Sequence, residues 1–189
     1  MKIGSLFSGY EGLGIGVKAV IPDAEHAWFV EFDEAPSKIL AKHFPGVPNY
    51  GDITRVDFTK VEPVDILTGG FPCQAYSTAA AGKNVADDLW PEMRRVVADV
   101  APRNVFAENV SRKAINGAAD DLEEMGYSVK CLELSAKDLG ADHIRPRYWL
   151  FAHADLHSKL FCPVNAEMAV MPRIRPSFWE TYDEKSGMD

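Results

Sequence analysis

The sequence predicts an α/β fold, a mostly parallel sheet with helices on both faces. Two observations carry this. Short apolar runs alternate with helix-period patterns through about residue 155, and that strand–helix rhythm belongs to parallel sheets covered on both sides. Glycine-bearing turns or prolines also close several of the runs, as turns between elements require.

The elements follow in order. Residues 2–7 form a first strand, ending in the turn Ser8-Gly9-Tyr10-Glu11-Gly12. Leu13, Val17 and Val20 then recur at helical spacing. Ala27-Trp28-Phe29-Val30 is a buried strand. Asp33 is placed to cap a helix with Pro36 in its first turn and Ile39, Leu40 and Phe44 facing inward. Residues 64–68 form an apolar strand closed by Gly69-Gly70. Leu89, Met93, Val96, Val97 and Val100 make one helical stripe, stopped by Pro102. Residues 104–107 are a strand, and Ile115, Ala118, Ala119, Leu122 and Met125 a second stripe with Gly126 as its C-cap. Residues 127–134 and 148–152 are late strands. Beyond residue 155 the periodicity fades, and Pro163, Pro172 and Pro176 interrupt residues 156–189, which are expected to be an irregular extension and not a second domain.

The bulk numbers bound the function. A chain of 189 residues with 47% hydrophobic and 25% charged residues suits one soluble domain with a sizeable core. No apolar run approaches a membrane span, and no long apolar signal segment opens the sequence. Cys73, Cys131 and Cys162 are odd in number and widely spaced. They make neither a disulfide framework nor a zinc site, so no metal is expected and a reducing cytoplasm is the natural compartment. The net charge of −8 argues mildly against nucleic acid as partner. Net charge is a blunt measure, because a local basic patch can sit on an acidic protein, and Arg145, Arg147, Arg173 and Arg175 lie in the last third.

In sheets of this kind ligands bind outside the carboxyl ends of the strands. Gly9, Glu31, Cys73 and Glu108 each fall there. Cys73 follows Gly69-Gly70-Phe71-Pro72 and precedes Gln74, at a turn. A lone cysteine is commonly a packed core residue, and on spacing alone catalysis and packing stand level. Glu108 ends the strand 104–107 on the same sheet edge; it is either an acid beside a nucleophile or a cap for the following helix. Arg145 and Arg147, two apart in an extended segment, share a face that suits an anionic or carbonyl-bearing ligand, or are surface arginines. The glycine turn suits a nucleotide-like cofactor, and Glu31 stands where a carboxylate meets ribose hydroxyls.

Together these residues resemble a known family. Leu6-Phe7-Ser8-Gly9, Glu31, Gly51-Asp52-Ile53, Gly70-Phe71-Pro72-Cys73-Gln74, Glu108-Asn109-Val110 and Arg145-x-Arg147 occur in the order of the DNA cytosine-5 methyltransferase motifs, over about residues 2–155. The resemblance implies a Rossmann-like S-adenosylmethionine-dependent methyltransferase fold, with 1–155 the catalytic domain and 156–189 the remnant of a target-recognition region. It implies S-adenosyl-L-methionine as cofactor and DNA as partner, in the cytoplasm of a bacterium or phage-infected host. Phe7 and Phe32 would border the adenine, with Asp52 and Ile53 flanking the ring. Gly9 would let backbone approach the methionine part, and Glu31 would hold the ribose. Glu11, Gly12, Leu13 and Pro72 fall on the same cofactor side. Cys73 would attack C6 of a flipped cytosine, with Glu108 at N3 and the exocyclic amine, Arg147 near O2 and Arg145 its neighbour. Gln74, Ser77 and Asn109 would contact the substrate.

Several positions depart from the family pattern. Ser5 stands where an acid is common, and Glu11 where the turn has glycine. Glu11 is expected either to crowd the cofactor or to meet its positive charge. His143 replaces a usual glutamine and Ile144 a usual polar residue. The family's final helix has no counterpart before Asp189. Three expectations compete: a truncated or degenerate product, one half of a split enzyme whose partner chain brings the missing motifs, or a family-derived protein acting as a binding module. A relative acting on RNA or with a modified donor is a further alternative.

Overall fold

The structure, a computed structural model, describes residues 1–72 and 88–154. These divide into two compact units, 1–133 with 147–154, and 134–146. The boundary expected at 155/156 lies outside the described residues.

The larger unit is built on one sheet. Its strands are β1 (Lys2–Leu6), β2 (Glu25–Val30), β3 (Ile66–Gly69), β4 (Asn104–Asn109), β5 (Tyr127–Ser135) and β6 (Pro146–Ala154), in the order β2-β1-β3-β4-β6-β5. The pairs β1–β2, β1–β3 and β3–β4 are parallel, and β4–β6 is antiparallel. The α/β class with a mostly parallel sheet is therefore as expected. The helices are α1 (Gly12–Val20), α2 (Glu34–His43), α3 (Trp90–Val100) and α4 (Arg112–Glu124). None is long and apolar enough to cross a membrane among the described residues.

Successive strand residues point to opposite faces, and the core splits accordingly. Leu67, Val105, Ala107, Leu150 and Ala152 pack with Met93, Val96, Val97, Ile115, Ala118 and Leu122 of α3 and α4. Ile3 and Ile66 face the other side, with Ala24, Val17 and Ile21. The stripes expected of α3 and α4 are thus their buried faces. Gly126 has φ 89° and donates its N–H to the Glu123 carbonyl at 2.9 Å, ending α4 as expected.

Three local expectations change. In α1 the buried residue is Gly14, whereas Val20 is exposed; the inward line runs through Gly14, Val17 and Ile21. Ile39 of α2 is exposed, and Leu40 is that helix's buried residue. Asp33 occupies the N-cap position of α2 without a side-chain cap; its own N–H donates to Glu31 Oε1 at 2.8 Å.

The smaller unit, as described, is a tight turn. A capping box between Ser135 and Asp138 opens the 3-10 segment Ala136–Leu139, closed by Gly140 at φ 92°. The Arg145 N–H donates to Ser135 Oγ at 3.1 Å, and its carbonyl accepts from Ala136 at 3.2 Å.

Candidate active site

The carboxyl ends of β1, β2 and β3 meet around a cavity of about 430 Å³. Its wall comprises Phe7, Val30, Glu31, Phe32, Asp33, Gly51, Asp52, Ile53, Thr54, Gly70, Pro72 and Leu89. Six residues expected beside the cofactor therefore line one space: Phe7, Glu31, Phe32, Asp52, Ile53 and Pro72. Phe7 takes the left-handed backbone at φ 50°, and Phe32 stands 76% exposed at the rim.

Glu31 is the polar centre. Oε2 accepts the Gly9 N–H at 2.7 Å, and Oε1 accepts the Asp33 N–H at 2.8 Å. Each carboxylate oxygen keeps a second lone pair. The pair is thus a fixed double acceptor, the chemistry that a vicinal diol needs. Gly9, with φ 53°, reaches this position in a left-handed conformation suited to glycine. A volume of this size, with Phe7, Val30, Phe32 and Ile53 beside the carboxylates of Glu31, Asp33 and Asp52, suits a nucleoside-sized ligand.

Two side chains that the sequence did not single out hold this wall. Asn49 Oδ1 accepts the Glu31 N–H at 2.9 Å and the Gly51 N–H at 3.2 Å, while its Nδ2 donates to the Glu31 carbonyl at 3.1 Å. Arg95, from α3, donates to the carbonyls of Ile53 at 2.7 Å and Val56 at 3.3 Å. An asparagine two residues before a glycine was the available signal for Asn49; Arg95 offered none. Asp52 caps its own turn, accepting from Thr54 Oγ1 at 2.8 Å and Thr54 N at 3.0 Å. The Thr54 hydroxyl, then the Thr54 amide, hold the Asp52 carboxyl below its usual range.

Glu11 differs from both expectations. Its side chain is fully buried. Oε2 accepts from Ser5 Oγ at 2.6 Å and Oε1 from His26 Nε2 at 3.0 Å. It is not part of the cavity wall among the described residues, and its backbone is left-handed at φ 65°. Gly12 and Leu13 open α1 and are not part of the cavity wall among the described residues.

The second constellation lies at the end of β4. Arg147 Nε donates to Glu108 Oε1 at 2.7 Å across the β4–β6 pair. The other oxygen, Oε2, lies 3.4 Å from where a side chain on Gly70 would begin. Gly70 is shared with the cavity wall, so Glu108 adjoins that space. The alternative role of Glu108 as a helix cap falls away: Ser111 caps α4, its Oγ accepting from Ala114 N at 3.3 Å.

Asn109, expected to touch substrate, is instead a buried brace. Nδ2 donates to the Phe71 carbonyl at 2.8 Å and Oδ1 accepts the Ser111 N–H at 2.9 Å. As the side chain is directed inward by strand alternation, it holds Phe71-Pro72 against the end of β4. Cys73, Gln74 and Ser77 lie outside the described residues. Arg145 lies in the smaller unit.

Of the cysteines, Cys131 is described, exposed on β5. Partial burial of its thiol, followed by Glu123 and Asp120, raises its pKa, so it lacks the environment of a nucleophile.

Residues 1–184 match the family described as C-5 cytosine-specific DNA methylase. Among curated proteins the chain is similar to the type II methyltransferase M.NlaX of Neisseria lactamica, 28% identical over 89% of this chain and 58% of the relative. It is similar as well to the type II methyltransferase M.HhaI of Haemophilus parahaemolyticus, 31% identical over 77% of this chain and 46% of that protein. The chain thus spans about half the length of the curated relatives it matches. The solved structure of S. pombe Dnmt2 methyltransferase shares the fold, with TM-score 0.67 at 17% identity over 84% of this chain and 52% of that one. Motif order, sheet topology and the family match converge: the chain belongs to the C-5 cytosine-specific DNA methylase family.

Proposed function

We propose that this chain carries the catalytic half of a DNA cytosine-5 methyltransferase, with Cys73 as nucleophile. The observation that carries this reading is the Glu108–Arg147 pair beside Gly70, a residue of the nucleoside-sized cavity's wall that precedes Cys73 by three positions in the sequence. Glu31 holds the ribose hydroxyls of S-adenosyl-L-methionine, Phe7 and Phe32 border its adenine, and Ile53 and Asp52 flank the ring. The bound cofactor supplies the methyl group.

The protein's own part is to activate the ring. A cytosine flipped from the duplex exposes C6. The Cys73 thiolate adds to C6, which raises electron density at C5. Arg147 holds Oε1 of Glu108 while Oε2 lies on the Gly70 side, and the Glu108 carboxyl meets N3 and the exocyclic amine of the base. After C5 has taken the methyl group, loss of the C5 proton lets the C6–sulfur bond break and returns the Cys73 thiolate.

Covalent trapping tests this. DNA carrying 5-fluorocytosine has no C5 proton to lose, so the adduct persists. With saturating cofactor the chain is expected to crosslink through Cys73, and the Cys73→Ser variant to yield none. Absence of a Cys73 crosslink would overturn the assignment.

A further inference from the structure

We propose that Glu11 is a positioning residue for the cofactor turn: its buried carboxylate, held between Ser5 and His26, fixes the backbone that aims the Gly9 N–H at Glu31. The inference rests on the cavity being the cofactor site.

A fully buried carboxylate is costly unless its oxygens are paired. Both are: Ser5 Oγ donates at 2.6 Å and His26 Nε2 at 3.0 Å. The His26 side chain is itself 2% exposed. Space for the carboxylate comes from Gly14, where a Cβ would collide with the Glu11 carboxylate and the His26 ring. Four residues from β1, the turn, α1 and β2 are thus fitted around one charge. Ser5 and Glu11 are also two positions at which the sequence departs from the family pattern, and the fold puts them in direct contact.

The cluster reaches the cavity through backbone. The turn holds three left-handed residues, Phe7, Gly9 and Glu11, two of them with side chains that disfavour that conformation. It is stitched by Glu11 N to the Ser8 carbonyl at 2.7 Å and by Ser8 Oγ to the Ser5 carbonyl at 2.9 Å. Its outer end is the Gly9 N–H on Glu31 Oε2 at 2.7 Å. Glu11 is not in the cavity wall among the described residues, so its effect on a ligand there passes through Gly9 and Glu31.

Calorimetric titration with S-adenosylhomocysteine tests this on the 189-residue chain, with thermal melting run alongside. Glu11→Ala is expected to weaken binding about tenfold, the equivalent of one lost buried hydrogen bond. Glu11→Gln keeps both contacts once the His26 ring takes the Nδ1–H tautomer, its carbonyl accepting from Ser5 and its amide donating to His26 Nε2, and stays within about threefold of wild type. The exchange variant Ser5→Asp with Glu11→Gly restores the acid from the strand side and binds like wild type. A folded Glu11→Ala protein with wild-type affinity overturns the inference, even if its melting temperature falls. If Glu11→Ala does not fold, an exchange variant or a Glu11→Gln variant that loses tenfold overturns it. Wild-type protein that does not bind at all overturns the cofactor assignment instead, and this inference with it.

Discussion

Replacing Asn109 isolates the joint between β4 and the segment that leads into Cys73. The side chain is buried, at 2% exposure, and makes two hydrogen bonds: to the Phe71 carbonyl at 2.8 Å and from the Ser111 N–H at 2.9 Å. Each contributes about 1 kcal/mol net, and a buried carbonyl left without a donor costs a further ~1 kcal/mol or more. Asn109→Ala is therefore expected to destabilise the protein by about 3 kcal/mol. For a chain of this size that lowers the melting temperature by about 6–12 °C. Asn109→Asp separates the two bonds: the acceptor for Ser111 survives, while a carboxylate oxygen now opposes the Phe71 carbonyl. Its cost at neutral pH should be at least as large. Urea unfolding at pH 7 measures both. An Asn109→Asp protein within about 0.5 kcal/mol of wild type would show that the Phe71 contact carries no weight, and the brace with it.

Three other outcomes follow from packing and charge. Gly4→Ala would drive a Cβ into the indole of Trp28, which is fully buried with its Nε1 donating to the Glu62 carbonyl; a loss of about 3 kcal/mol or of soluble protein is expected. Gly16→Ala, on α1 with nothing near its Cβ position, should instead stabilise by about 0.5–1 kcal/mol in the same urea assay. Asp57 is held down from 3.8 to about 2, first by Lys60 and then by the Thr59 hydroxyl. A depressed acid contributes stability above its unfolded pKa and loses it as pH falls through the folded one, so the window here is pH 3.8 to about 2. Melting curves of Asp57→Asn should lie below wild type at pH 6 and converge with it toward pH 2, the gap shrinking in high salt because the pair is exposed.

Much of the cavity lining was legible in the residue order. Glu31 ends an apolar run, and the rule that ligands gather at strand ends points to it; Phe32 and Pro72, which line the same cavity, were indicated by the family resemblance. The helical stripes of α3 and α4 were legible because an apolar period of 3.6 has one way to be buried against a sheet. The inward face of α1 was less legible for a local reason: Lys18 is its one charged residue, so the helix carries little contrast, and its buried position is Gly14, whose contribution is an absent side chain. Glu11 was misplaced because sequence shows the charge and not the buried contacts with Ser5 and His26 that hold it.

The sequence by itself determined the α/β class, the family and the residue types that meet at the strand ends, because these depend on period, turn chemistry and motif order along the chain. Only the tertiary structure decided which side chains touch. The antiparallel register of β4 against β6 brings Arg147 to Glu108, and β2 brings His26 to Glu11. Such contacts join residues distant in the chain, and strand order and register, which set them, are properties of the packed sheet and not of any local stretch.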